Sequence, residues 1–200
     1  MKKCFALVMT VLALMTLLIS CDDEDATRID DVNMYIEESY YTFDREDWSW
    51  KYSAGRAAYG FFPPYNELKF NYSDLNFYVY NYAGLTYPET TIILELKFDD
   101  KQAYDEAKTE ISSMYKFLEA PVKGDLFRTE MPRAEYQIGG FLVKIITQGE
   151  QNNFPHSVYA ICENDNEMVL RYLYVYDMHT DGINEREFIN GIVEHSNCSW

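Results

Sequence analysis

The sequence predicts an α+β fold: a mainly antiparallel sheet of about six or seven strands with two or three helices packed on it. Three observations lead there. Short runs rich in aromatic and β-branched residues alternate polar and apolar side chains, as half-buried strands do. Gly, Pro, Asn and Asp punctuate those runs at hairpin spacing. Three other segments repeat apolar residues at helical spacing behind a capping residue.

In chain order, Thr27 with Asp30 forms an N-cap for a helix near 28–43, carrying Ile29, Val32, Tyr35, Ile36, Tyr40 and Phe43. The period then drops to two at Trp48, Trp50 and Tyr52, at Leu68, Phe70 and Tyr72, and at Leu75, Phe77 and Val79. Gly55, Gly60 and Pro63-Pro64 interrupt the first two of these strands. Ala83-Gly84 and Pro88 divide the strand at 75–82 from the next, TIILELKF at 91–98. Asp99 or Asp100 caps a helix with Tyr104, Ala107, Ile111, Met114, Tyr115 and Leu118 on one stripe, ended by Pro121 and Gly124. A single strand is expected at 137–147, with Phe141, Val143 and Ile145 facing one way. SVYAIC (157–162) and MVLRYLYVY (168–176) form a hairpin around the polar turn ENDNE. Asn184 with Glu187 opens a last helix that turns Phe188, Ile189, Ile192 and Val193 inward. With hairpins dominating, the helices are expected on one face of the sheet. IILELKFD (92–99) and LRYLYVYD (170–177) share a pattern that hints at a duplicated ββα unit.

The N-terminus has a different character. Lys2 and Lys3 precede an apolar run from Phe5 to Ile19, shorter than the roughly 20 residues a membrane-spanning helix needs. A basic start, a short apolar centre and small residues at its end describe an export signal. Leu18-Ile19-Ser20-Cys21 resembles the lipobox of bacterial lipoproteins. The resemblance implies a diacylglyceryl group on the Cys21 thiol, cleavage just before it and acylation of the new N-terminus. Two or more chains anchor firmly, because each buried methylene contributes about 0.8 kcal/mol and one chain binds only reversibly. Asp22, Asp23, Glu24 and Asp25 follow at once, and such a block of like charge stays solvated as a spacer. That acidic cluster is similar to the surface-export signal of Bacteroidota lipoproteins, while aspartate after the cysteine also resembles an inner-membrane retention signal. The expected organisation is a signal at 1–20, a lipidated cysteine and acidic tether at 21–27, and one α+β domain at 28–200. The motif identifies a processing class and an address outside the cytoplasm, not an activity.

Loss of Lys2 and Lys3 with the signal would take the formal net charge from −16 to −18. A chain this acidic is repelled by phosphate backbones, so nucleic acid is not an expected partner. Four cysteines occur; the lipoprotein resemblance implies that Cys4 leaves with the signal and that Cys21 takes the lipid, leaving Cys162 and Cys198. Those two either bridge, closing a loop of about 37 residues worth roughly 4 kcal/mol in the loop-entropy account, or stay as buried thiols. No CxxC or Cys/His cluster is present, so zinc is not expected. Asp177, Asp181 and Gly182 match positions of a calcium-binding loop, but Phe188 stands where a bidentate Glu is needed, and no metal is assigned. No nucleophile elbow, phosphate-binding glycine loop or nominated carboxylate pair points to catalysis, and no cofactor is expected.

Two aromatic rows remain as candidates for a binding surface. Trp48, Trp50 and Tyr52 share one side of their strand, as do Tyr78, Tyr80 and Tyr82 opposite Phe77 and Val79. Each row is either a platform for sugars or apolar partner groups, or core filler. The function expected is therefore a lipid-anchored binding or accessory protein for a glycan, peptide or protein partner, with the membrane reached through the anchor. The alternatives are a small envelope hydrolase using carboxylates, and a structural or inhibitory module of an envelope complex.

Overall fold

A computed structural model describes residues 61–63, 67–83, 88–121, 132–147, 157–177, 183, 185–193 and 198–200, with the backbone alone at 79, 81–83, 88–90, 177 and 187. Within them, six strands form one sheet. They are β1 (Asp74–Ala83), β2 (Pro88–Lys97), β3 (Glu135–Ile138), β4 (Phe141–Ile145), β5 (Ser157–Asn164) and β6 (Val169–Asp177). The order across the sheet is β1-β2-β6-β5-β4-β3, and every neighbouring pair is antiparallel. Two helices are described, α1 (Lys101–Met114) after β2 and α2 (Glu185–Val193) after β6. The α+β reading thus holds at the level of a predominantly antiparallel sheet with few helices. The expected helix near 28–43 and the strand at Trp48–Tyr52 lie outside the described residues.

Each face of the sheet has its own core. On one face, Leu94, Leu96, Tyr172, Tyr174 and Ile161 pack beneath Tyr104, Ala107 and Ile111 of α1. On the other, Ile93, Leu173, Val175, Ala160 and Val143 pack beneath Phe188 and Ile192 of α2. The expectation of helices on one face is therefore corrected: α1 and α2 cover opposite faces. This explains why Thr91–Leu96 and Val169–Tyr176 are buried at every position, odd and even. It also removes the suggestion of a repeated ββα unit, since the two helices leave their hairpins in opposite directions.

Local chemistry sets most of the boundaries. Asp100 Oδ1 accepts from the Ala103 amide at 2.9 Å and caps α1. The helix stops at Met114, which is left exposed, a turn before the expected end. Tertiary pairing takes over there: Phe117 bridges Ile146, and the amides of Leu118 and Thr147 bond to Ile145 and Lys116 carbonyls. The single strand expected at 137–147 is in fact two. Gly139-Gly140 turns the chain between β3 and β4, with Gly139 at φ +58° in the pattern of a II′ hairpin turn. Leu68, Phe70 and Tyr72 are half-buried between exposed neighbours, as their alternation predicts, yet residues 67–73 form no strand. The ENDNE turn is held by Asn164 Oδ1, which accepts from the amides of Asn166 and Glu167 at 3.1 Å. On α2, Phe188 and Ile192 are buried as expected, but Val193 faces out.

Candidate functional site

The buried stretches Thr91–Leu96 of β2 and Val169–Tyr176 of β6 hold one charged residue each, Glu95 and Arg171, and the register sets them directly opposite each other. Both are buried on the α2 face, Arg171 to 3% exposure. Arg171 Nε donates to Glu95 Oε2 at 2.7 Å, and its Nη2 lies 2.5 Å from the same oxygen. Asn76 of β1 donates to the other carboxylate oxygen at 3.2 Å. Two rings enclose the guanidinium: its central carbon lies 3.9 Å from the Phe141 ring centre and 4.6 Å from that of Trp200. Arg171 Nη2 also donates to the Ser199 carbonyl at 2.8 Å, so the segment Cys198–Trp200 is strapped across the sheet. Arg171 Nη1 has no hydrogen-bond partner among the described residues.

Both cysteines belong to this centre. Cys162 of β5 is the cross-strand neighbour of Arg171 on the side away from Glu95. The Cys198 thiol approaches Glu95 Oε2 at 3.9 Å. Burial pushes the Cys162 thiol far up, against a downward pull from Arg171. Burial likewise pushes Cys198 up to about 11, again with Arg171 opposing. Each is therefore a protonated thiol at neutral pH and a poor nucleophile while docked. The chemistry within reach is a fixed, ring-enclosed cation and a pair of thiols beside it.

A second polar group lies on the α1 face. Glu163 of β5, buried to 4%, is held by Lys144 at 2.5 Å and Lys108 at 3.0 Å. Lys108 also pairs with Asp165 at 2.6 Å, and Tyr104 donates to the same carboxylate oxygen at 2.7 Å. Lys108's hydrogen bond, then that of Tyr104, holds the Asp165 carboxyl below its ordinary range. Burial opposes the charge on Lys108, but Asp165 and Glu163 outweigh it and raise its pKa. This group fastens α1 to β4, β5 and the β5–β6 turn.

No family model matches this chain, and neither curated proteins nor solved structures give a match.

Of the residues singled out from sequence, Cys21, Trp48, Trp50 and Tyr52 lie outside the described part. Tyr78 is half-buried and Tyr80 only 5% exposed, packed into the sheet rather than presented as an open row. Tyr82 falls in β1, with its side chain outside the description. Cys162 and Cys198 are brought to one centre and are both present as thiols. Arg171, Glu95 and Trp200 were not anticipated. The available signal was a lone acid in IILEL and a lone base in VLRYL, since charge inside an apolar strand requires a partner. Among the described residues no cluster of three or more His, Cys, Asp or Glu could hold a metal ion, and no helix is long and apolar enough to cross a membrane.

Proposed function

We propose that the chain is a lipid-anchored lipoprotein outside the cytoplasm whose folded domain binds a glycan, peptide or protein partner. One observation carries the reading: Leu18-Ile19-Ser20-Cys21 at the end of a short apolar run, followed at once by four acids. An apolar run too short to span, ending in a lipidatable thiol, makes acyl chains the anchor and leaves the rest of the chain in water. The outer side of α1 supports a binding role for the domain. Asp105, Glu106 and Glu110 are exposed there, with Lys101 paired to Asp105, and Asp99 and Asp100 are exposed just ahead of the helix, within a chain of net charge −16. A surface of that sign raises the local concentration of cationic partners and speeds their association.

The anchor is tested by fractionating cells expressing the wild type and Cys21→Ala. The wild type is expected in the membrane fraction, released only by detergent and labelled by palmitate. Cys21→Ala is expected to lose the label. An unlabelled wild type would remove the reading. The binding role is tested by titrating the detergent-purified full chain with a lysine-rich peptide and with envelope polysaccharides. Saturable binding of either supports it, and binding of neither contradicts it.

A further inference from the structure

Cys162 and Cys198 reach the same buried ion pair from distant parts of the chain. Cys162 comes from the middle of β5, fully buried and directly opposite Arg171. Cys198 comes from the C-terminal segment and meets the Glu95 oxygen that Arg171 Nε also holds. Opposed residues on antiparallel strands stand about 4.5–5.5 Å apart at Cα. Arg171 thus ties Cys162's strand to Ser199, the residue after Cys198, through its 2.8 Å bond to the Ser199 carbonyl. Trp200 closes the arrangement: its ring lies edge-on to Phe141 at 5.2 Å between centres, and its backbone rests on Gly139. Non-covalent contacts thus already hold the tail's cysteine over the Arg171–Glu95 pair, with Cys162 on the other side of Arg171.

We propose that Cys162 and Cys198 form a reversible disulfide that latches the Cys198–Trp200 segment over the Arg171–Glu95 pair. The oxidant is a disulfide of the extracytoplasmic thiol–disulfide exchange class. Cys198, the more exposed of the two, attacks one sulfur of that disulfide as a thiolate and releases one thiolate from it. Cys162 then attacks the Cys198 sulfur of the mixed disulfide and releases the second. One S–S bond is broken and one formed. The two electrons pass to the oxidant, and the two thiol protons end on its released sulfurs. Because docking keeps both thiols protonated, both attacks take place with the tail lifted, Cys198 on the oxidant and then Cys162, as a thiolate, on the Cys198 sulfur, and the bridged tail redocks afterwards. In the reduced state the tail is held non-covalently, by the Ser199 carbonyl on Arg171, the Cys198 thiol on Glu95 and ring contacts; in the oxidised state it is also held covalently.

The inference takes its oxidising compartment from the export reading, but the bond itself is tested apart from it. The purified full chain and its unlipidated Cys21→Ala form are each treated with oxidised glutathione, then alkylated and mapped by mass spectrometry without reductant. A linked Cys162–Cys198 peptide in both forms is expected, whatever the state of Cys21. Reduction is expected to lower Tm by roughly 5–10 °C. In Cys198→Ser that redox-dependent difference should vanish. Alkylation of both thiols after oxidation, glutathione adducts on each without a bridge, or linkage to another cysteine would overturn the proposal.

Discussion

Arg171 is buried between two rings with its charge met by Glu95, and this is the costliest side chain in the sheet to place wrongly. Removing one partner strands the other charge in the interior, at about 3–5 kcal/mol, whereas replacing both by apolar groups is often nearly neutral. Arg171→Met is therefore expected to lose about 3–5 kcal/mol, and Glu95→Leu with Arg171→Met to lose much less, in urea denaturation. Costs that simply add would refute the coupling. At Asp165 the effect is smaller, because its side chain is 64% exposed. Its folded pKa is lowered, so its contribution is present above the unfolded value of about 3.9 and is lost as pH falls through the folded value. Lys108, with a raised pKa, contributes below about 10.5 and loses that contribution as pH climbs past its folded value. Asp165→Asn should thus be less stable than wild type at pH 7, by under about 1 kcal/mol, and equal to it well below pH 4. A gap that persists in acid would contradict the pairing. The charged residues themselves were legible in sequence; their partners were not, since only the register sets Glu95 against Arg171 and only the fold brings Lys108 and Lys144 to Glu163.

Among the elements, the Gly139-Gly140 turn links hairpin geometry to the tail. Gly139 is at φ +58°, and a Cβ there would lie 2.1 Å from the backbone carbon C of Trp200, far closer than van der Waals contact. Gly139→Ala is expected to cost about 2 kcal/mol through backbone strain and displacement of the tail. With Trp48 and Trp50 replaced by Phe, the emission of Trp200 should shift red in that variant; unchanged emission would mean the tail is not held there. The hairpin was readable, as Gly-Gly between alternating runs is a turn signal, but apolar alternation on both sides masked it as one strand. The β5–β6 hairpin was legible because its turn is a run of polar, turn-forming residues. The early end of α1 was not legible: Tyr115 and Leu118 continue the helical stripe, and only pairing of 116–118 with the end of β4 pulls them out of it. The same limit applies at Leu68, Phe70 and Tyr72, where alternate burial arises without a strand.

At the scale of the whole molecule, β2 and β6 form the interior of a layered structure, with α1 outside one face and α2 outside the other. Hairpin counting alone leads to one covered face; the near-continuous apolar runs IIL and VYAIC were the contrary signal, since strands covered on both sides lose their polar alternation. Burial on both faces of such a sheet, at about 25 cal/mol per Å² of apolar surface, is the main favourable contribution to its folding. Under the proposed reading, an anchor at Cys21 has one task, to set the address of the folded domain. Intact-mass spectrometry of the protein purified from the cells that make it tests that reading most directly. A chain that begins at Cys21 and carries the added mass of diacylglyceryl and acyl groups is the expected result. A chain that retains Met1, or begins at an unacylated Cys21, would contradict it.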